Sequence, residues 1–395
     1  MKITSVEIFR IKADWTNAAN RLSPVIIRIN TDEGISGLGE VGLAFGVGAD
    51  GGVGYVRDIA EGFLLGADPM KIEGIWETLF RKSFWALGGG PIVYGGISAV
   101  DIACWDIKGK AMKQPVYQLL GGKTNERLRT YASQLQFGWD PMNPVPAKTP
   151  EDYAEQAMKA LAQGYDAVKV NPLMFDDKGV RGWNNLKILS CERVKLVCNR
   201  IKAIREAVGP TVDIILETHA MLTDTTAIQI GRALEEFNLM YYEESTSPLN
   251  PKVMKKVAEN VKIPLATGER IYTRWGFRPF LEEQILAVIQ PDLCLAGGIS
   301  ETKKIADYAN IYDVQVQAHV CGGPVSTAAA LHLEAVIPNF IIHEHVVAAT
   351  AAGMAALVEQ DLQPKNSYFE IPDAPGLGIT LNEKVVNKYE KVVVK

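Results

Sequence analysis

A repeat of short apolar runs that each end in an acidic or imidazole side chain constrains the fold of this chain more than any other feature. The run at residues 213–216 is followed by Glu217 and His219. Five later runs end in the same way, at Glu243, Glu269, Asp292, His319 and Glu344. Successive members lie 23 to 27 residues apart, about the length of one strand, one helix and two short loops.

Alternating strands and helices form a parallel sheet with right-handed crossovers, and about eight such units close into a barrel. A TIM-type barrel carries its chemistry at the carboxyl ends of its strands. The structural alternative, a doubly wound open sheet, places its site at one switch point instead of over six strands. The pattern therefore favours a barrel. Because side chains alternate along a strand, it also predicts that Glu217 and His219 share one face.

The first 120 or so residues show a different pattern. Runs at residues 3–12, 24–30 and 35–40 are typical of an antiparallel meander, and helical patterns follow at 71–86 and 97–113, which together predict an α+β unit. Segments 13–23 and 42–54 lack periodicity, so we expect loops there. The Ala-rich residues 345–365 are expected to form a helix, and the turn-rich tail is expected to fold back on the N-terminal unit.

Composition excludes several classes of protein. Hydrophobic residues make up 47% of the chain, charged residues 22%, and the net charge of −5 is mild, so no nucleic-acid partner is expected. The start resembles no signal peptide and no stretch approaches a membrane span, which predicts a cytoplasmic protein without a membrane partner. Five cysteines without CxxC spacing are expected to be reduced and mostly buried, with Cys321 a weak candidate nucleophile.

The three equally placed glutamates, Glu217, Glu243 and Glu269, would enter one space from neighbouring strands. Carboxylates so close together repel one another unless a cation joins them, and oxygen ligands favour a hard ion such as Mg²⁺. The alternative for each glutamate alone is a helix cap or a pair with Lys or Arg. The regular spacing of all three favours the metal site.

Asp292 and His319 follow on the next two strands. A buried aspartate facing an imidazole raises its basicity and fixes its orientation, which makes a general base. Lys169 and Asn171 end the strand before Glu217 and face the same way. Lys169 could hold a substrate carboxylate, whereas Asn171 can form hydrogen bonds but cannot accept a proton. The remaining histidines, His332, His343 and His345, are interpreted as structural.

Further motifs extend over nearly the whole chain. They lie at residues 98–110 (SAVDIACWDIKGK), 115–116, 119–122, 242–244, 267–270, 290–293, 296–301 and 375–378. With the polar strand ends, they resemble the mandelate racemase branch of the enolase superfamily, which uses a Lys or His base with Mg²⁺. The resemblance implies a (β/α)₇β barrel at residues 126–365. It also implies an α+β capping domain at 1–125, completed by the tail at 366–395, with loops 13–23 and 42–54 closing over the substrate.

Within that branch the chain is most similar to the galactonate and gluconate type of sugar-acid dehydratases. The resemblance implies that Glu217 is a metal ligand and that His219 is the acid for the leaving hydroxyl. It implies dehydration of an aldonate to a 2-keto-3-deoxy acid by a hydro-lyase, with His319 as base and with Lys169 and a protonated Glu344 hydrogen-bonded to the enediolate. A homo-oligomer is also expected.

Two alternatives remain open on the same scaffold. One is a racemase or epimerase that uses His219 as a second base. Racemases and some other dehydratases of this branch carry Lys-x-Lys on the second barrel strand. This chain has Lys169-x-Asn171 instead, which argues against two-base racemisation. The other is a non-catalytic barrel that binds sugar acids, and the Asp292–His319 pair argues against it because binding alone needs no general base.

Overall fold

The N-terminal part of the chain forms a three-stranded antiparallel meander followed by helices. The structure is a computed structural model, and it describes residues 1–12, 22–142, 144–182 and 188–395. The elements of this part are β1 (Ile3–Arg10), β2 (Val25–Thr31), β3 (Ser36–Val41), α1 (Ala49–Ile59), α2 (Ile72–Lys82), α3 (Pro91–Met112) and α4 (Val116–Leu119). β1, β2 and β3 pair in that order, which confirms the predicted meander.

The middle of the chain alternates strands and helices. These elements are β4 (Leu128–Ser133), α5 (Pro150–Ala162), β5 (Ala167–Val170), α6 (Cys191–Val208), β6 (Asp213–Glu217), α7 (Asp224–Leu234), β7 (Tyr242–Glu243), α8 (Pro251–Ala258), β8 (Leu265–Thr267), α9 (Thr273–Glu282), β9 (Val288–Ile289), α10 (Gly298–Asn310), β10 (Gln315–Val316), α11 (Pro324–Glu334) and β11 (His343–Val346). Consecutive strands from β4 to β10 pair in parallel, and β11 pairs in parallel with β4. A parallel bridge between Val316 and Phe340, just before β11, closes the ring. The predicted (β/α)₇β barrel is confirmed.

The tail contacts both parts of the molecule. Its elements are α12 (Ala352–Ala355), β12 (Tyr368–Phe369), α13 (Glu383–Val386) and β13 (Glu390–Val394). β13 pairs antiparallel with β1, with Val6 opposite Val394, so the tail completes the capping sheet as expected. β12 instead pairs with β4 of the barrel. The division at residues 125 and 126 stays a prediction.

The elements β1 to α4, together with β13, are called the capping unit here. This unit packs on the barrel at Gly297 and Gly298, where α10 begins. Trp76 Nε1 donates to the Gly297 carbonyl at 2.9 Å, and Ser300 N donates to the buried Asp101 carboxylate at 3.0 Å. Gly298 has φ 85°, and a Cβ there would lie 2.3 Å from Asp101 Oδ2. Only glycine therefore fits this contact.

Two sequence-based expectations were wrong. Residues 49–54 begin α1, whose buried face includes Ala49, Gly52 and Val56. A Cβ on Gly52 would lie 2.9 Å from Val41 Cγ1, so the small residue permits close packing on β3. Residues 345–365 contain strand, a 3₁₀ turn and only the short α12 instead of one helix. Of segment 13–23, residues 13–21 lie outside the described residues.

Helix α5 begins after Thr149, which is its N-cap residue. Thr149 Oγ1 accepts from Asp152 N at 3.2 Å, and the Asp152 carboxylate accepts from Thr149 N at 2.9 Å, which is a capping box. Within the described part of the chain, every helix is too short or too polar to span a bilayer.

Candidate active site

Three glutamates converge at the carboxyl ends of β6, β7 and β8. Glu217 and Glu243 are partners in the parallel register, and Glu269 lies two residues beyond β8. One carboxylate oxygen from each lies within 4.8 Å of the others. Glu217 and Glu243 are each about 1% exposed. The structure therefore brings together the three residues predicted as metal ligands.

Lys169 lies among these carboxylates. Its Nζ is 2.8 Å from Glu243 Oε1, 2.7 Å from Glu344 Oε1 and 3.7 Å from Glu217 Oε2. The ammonium also lies 5.4 Å from the centre of the Tyr131 ring, an additional cation–π contact. Burial opposes ionisation of Lys169, but the glutamates hold its pKa well above the ordinary value.

The glutamate cluster keeps oxygen atoms that nothing in the described chain satisfies. Glu217 Oε2 and Glu243 Oε2 are buried and lack a hydrogen-bond partner among the described residues. Burial, followed by repulsion from Glu243, raises the pKa of Glu217 well above its ordinary value. Buried carboxylate oxygens without donors are costly unless a cation neutralises them. Their chemistry and grouping fit a hard divalent ion.

The predicted His–Asp pair is formed. His319 Nδ1 lies 2.8 Å from Asp292 Oδ2, and His319 Nε2 lies 3.3 Å from Glu269 Oε2. Burial opposes protonation, but Glu269 and Asp292 raise the pKa of His319 to about 10. The aspartate fixes Nδ1, so Nε2 is the nitrogen that faces the cluster.

His219 faces the site, but not through the strand alternation from which its position was predicted. β6 ends at Glu217, and His219 has φ 47°, in the left-handed region, so strand alternation does not place it. Its Nδ1 lies 2.8 Å from Asn171 Nδ2. Asn171 Oδ1 accepts from Leu173 N at 2.9 Å, which orients the amide to donate to the imidazole. Burial is the main cause that lowers the pKa of His219 to about 3.

Glu344 is held as a carboxylate, which corrects the expectation that it is protonated. It accepts hydrogen bonds from Ser133 Oγ at 2.8 Å and from Val320 N at 3.0 Å. Burial would raise the pKa of Glu344, but Lys169 and His319 lower it to about 2. As an acceptor with several donors, Glu344 orients Lys169 and cannot donate to an enediolate.

Six of the nine predicted site residues line one small cavity beneath an open cleft. The cavity is lined by Gln134, Gln136, Lys169, Glu217, His219, Glu269, His319 and Glu344. The cleft above it, about 850 Å³ of empty space, adds side chains of the capping unit, including Leu43 and Phe45. Both imidazoles therefore face the same enclosed space.

Sequence reasoning missed several residues of the cleft. Gln134 follows β4, and its position at a strand end was the available signal. Arg181 and Tyr272 lie in loops, for which no spacing rule applied. Arg270 bridges the carboxylates of Glu244 and Glu269, and with His319 it lowers the pKa of Glu269 to about 2 against the effect of burial.

The cysteines take no part in this arrangement as nucleophiles. Cys321 lines the cleft, but burial raises the pKa of its thiol above the ordinary value, which disfavours the thiolate. Cys104 and Cys294 are buried and Cys198 is partly buried, whereas Cys191 is exposed. The weak candidacy of Cys321 is therefore not supported.

Comparison with known proteins agrees with the fold and the site. Residues 9–121 match the N-terminal domain of the mandelate racemase/muconate lactonizing enzyme family, and residues 152–385 match the enolase C-terminal domain-like family. A D-galactonate dehydratase from Ralstonia nicotianae is 34% identical, covering 98% of this chain and 94% of the relative. One from Pectobacterium atrosepticum is 32% identical, covering 99% and 95%.

Solved structures show the same similarity over the full length. A member of the enolase superfamily from Salmonella Typhimurium is 51% identical with a TM-score of 0.96, and all of both chains is covered. A mandelate racemase/muconate lactonizing enzyme from Jannaschia sp. CCS1 is 34% identical with a TM-score of 0.89, covering 99% of this chain and 98% of that one.

Replacement of Lys169 by Met should test the charge balance of the site. Without the ammonium, the three buried carboxylates near it lose their positively charged partner. The free energy of unfolding in EDTA should therefore fall by about 3–5 kcal/mol near neutral pH. The loss should be smaller at about pH 5 than at about pH 8, because the pKa of Glu217 is raised and its protonated form needs no cation.

Urea unfolding at both pH values measures this effect. Lys159→Met, which removes an exposed partner of Glu155, is the matched control and should change stability by no more than about 0.5 kcal/mol. Equal stability of Lys169→Met and the unchanged protein would contradict the charge argument.

Proposed function

The chain belongs to the mandelate racemase/muconate lactonizing enzyme family of the enolase superfamily, and from this membership we propose that it dehydrates an aldonate of the galactonate or gluconate type. The product would be a 2-keto-3-deoxy acid. One observation carries the proposal: His319, paired with Asp292, and His219 face one cavity that is also lined by Glu217 and Glu269. A base and an acid at one substrate are what removal of an α-proton and a neighbouring hydroxyl requires.

Glu217, Glu243 and Glu269 would hold Mg²⁺ in this enzyme. Glu217 and Glu243 each have one oxygen without a hydrogen-bond partner among the described residues, and oxygens of all three glutamates lie within 4.8 Å of one another, which supports this assignment. When bound, the ion would polarise the substrate carboxylate, lower the cost of removing the α-proton and offset the carboxylates that raise the pKa of His319.

The chain's own residues would then move two protons. His319 takes the α-proton at Nε2 while Asp292 holds Nδ1. Lys169, oriented by Glu344, stabilises the negative charge that develops on the enediolate. His219 gives the proton on its Nε2 to the 3-hydroxyl, which leaves as water, and the enol product tautomerises to the 2-keto acid. Negative charge on the substrate favours the protonated form of His219 during this step. Because Asn171 Nδ2 faces Nδ1 of the neutral ring, this form also requires the Asn171 amide to turn its oxygen toward Nδ1.

An epimerase is the second candidate, because two imidazoles that face one cavity could also exchange a proton on both sides of a carbon. Screening sugar acids for a 2-keto product, with deuterium exchange from D₂O followed in parallel, separates the two reactions. Inversion at C2 without a 2-keto product would favour the epimerase.

We also propose a homo-oligomer, for which exposed Phe84 and Trp85, at 73% and 75% exposure, give support. The cytoplasmic location expected from the sequence stays a prediction.

The metal assignment predicts a strict requirement for a divalent ion. Glu243→Gln should lose most activity and bind Mg²⁺ more weakly in isothermal titration calorimetry, because a neutral amide replaces an anionic oxygen ligand. Glu259→Gln, an exposed glutamate far from the strand ends, should leave both unchanged. Full activity in EDTA would exclude the metal from the reaction.

The base assignment predicts that His319→Asn abolishes exchange of the substrate α-proton with solvent. Asp292→Asn should slow this exchange without abolishing it, because the imidazole stays but loses its anionic partner. Proton NMR of the substrate in D₂O measures both rates. Exchange at the wild-type rate in His319→Asn would transfer the base role to His219 or Lys169.

His219→Asn should separate dehydration from proton abstraction. Loss of a general acid lowers the rate by about 10² to 10⁴, so formation of the 2-keto product should fall by that factor. Slow exchange of the α-proton should remain, since His319 is intact and elimination is stepwise in this mechanism. A variant that dehydrates at the wild-type rate would remove His219 from the reaction.

A further inference from the structure

The end of β3 in the capping sheet contacts the loop that follows His319. Glu40, which is fully buried, accepts hydrogen bonds at both carboxylate oxygens. Gly323 N donates to Oε1 at 2.5 Å, and Ser326 N donates to Oε2 at 3.0 Å. Gly323 lies four residues after His319 and immediately precedes α11. The carboxylate therefore connects the capping sheet to the segment between the predicted base and the next barrel helix.

The same strand end also contacts the loop that carries Asp292. Gly42 N donates to the Cys294 carbonyl at 3.0 Å. Cys294 N in turn donates to Asp292 Oδ1 at 2.7 Å, which fixes the aspartate carboxylate from the side opposite His319. Two residues at the end of β3, Glu40 and Gly42, thus contact the loops of both members of the base pair.

The loop after His319 packs so closely on Glu40 that a side chain at residue 322 or 323 would press against the Glu40 carboxylate. A Cβ on Gly322 would lie 2.8 Å from Glu40 Oε1, and one on Gly323 would lie 3.0 Å from Oε2. Both values are shorter than ordinary van der Waals contact, so the two glycines let the loop close on the carboxylate. The loop conformation and the position of Glu40 therefore depend on each other.

The chemistry of the contact requires a carboxylate. Both partners are N–H donors, so an amide at this position would turn its own NH₂ group toward one of them. Burial raises the pKa of Glu40 to about 7, and the N–H groups of Gly323 and Ser326 act against this rise. Burial of an ionised carboxylate costs free energy, so we expect Glu40 to serve a purpose that offsets this cost.

We propose that Glu40 is a positioning residue for the Asp292–His319 pair, and that the capping unit thereby sets the geometry of the base. The inference rests on the proposed function for its kinetic part only. Leu43 and Phe45, which line the cleft, follow Glu40 directly along the chain. The segment that faces the substrate is thus continuous with the one that holds the base pair.

Glu40→Gln tests the proposal, with Asp106→Asn as the matched control. Asp106 is equally buried in the capping unit and accepts backbone N–H groups at both oxygens, from Leu38 at 2.9 Å and Leu377 at 2.8 Å, and it also pairs with Lys110 at 2.6 Å. None of these donors belongs to the loops that carry Asp292 or His319. In Mg²⁺-loaded protein, the low-field proton resonance of His319 Nδ1–H, identified by its loss in His319→Asn, should shift or broaden in Glu40→Gln alone.

The kinetic expectation is a selective loss of turnover. A displaced base costs up to about 10²-fold in rate, so kcat of Glu40→Gln should fall by roughly 10- to 100-fold while KM changes little. Glu40→Asp keeps the charge but is one methylene shorter, and should show a smaller resonance shift and a smaller loss of kcat. It provides the test if Glu40→Gln does not fold.

An unchanged His319 resonance in both Glu40 variants would overturn the proposal, as would equal changes in Asp106→Asn. A changed resonance in a protein that acts on no sugar acid would support the positioning role while refuting the proposed function. The spectroscopic result therefore separates the two hypotheses.

Discussion

The structure depends on the balance of charge at the carboxyl ends of the barrel strands. Five acidic side chains meet there: Glu217, Glu243, Glu269, Asp292 and Glu344. Buried carboxylates this close destabilise a fold unless cations accompany them. Lys169 and His319 supply part of the compensation, and the unsatisfied oxygens of two glutamates indicate that it is incomplete. The Mg²⁺ proposed for the three glutamates would complete this compensation.

Much of this site could be predicted from the sequence because a closed parallel barrel converts spacing along the chain into proximity. Strands of equal direction bring their carboxyl ends to one rim, so residues about 25 positions apart, such as Glu217 and Glu243, become neighbours in the register. The same rule would have found Gln134 after β4. It fails for His219, whose left-handed backbone ends the alternation on which the prediction relied.

Other features depend on contacts that no local pattern encodes. The charge of Glu344 depends on Lys169 and His319, which lie 175 and 25 residues away in the chain. The glycine-rich start of α1 is helical because it packs against β3, and the Ala-rich residues after β11 follow the barrel rim instead of their helix propensity. In each case tertiary packing overrides the intrinsic preference of the segment.

The capping unit both lines the cleft and contacts the loop after His319, and these two kinds of contact constrain its sequence differently. Both Leu43 and Phe45 line the cleft, but Leu43 also packs in the core of the capping unit, whereas Phe45 is exposed and can change with the substrate. Glu40 contacts only protein, through donors at the start of a barrel helix, so its chemistry is tied to the base pair and not to the substrate. Specificity can therefore vary within a few residues of a position that must stay fixed. This arrangement lets one scaffold change its substrate while the geometry of proton abstraction is retained.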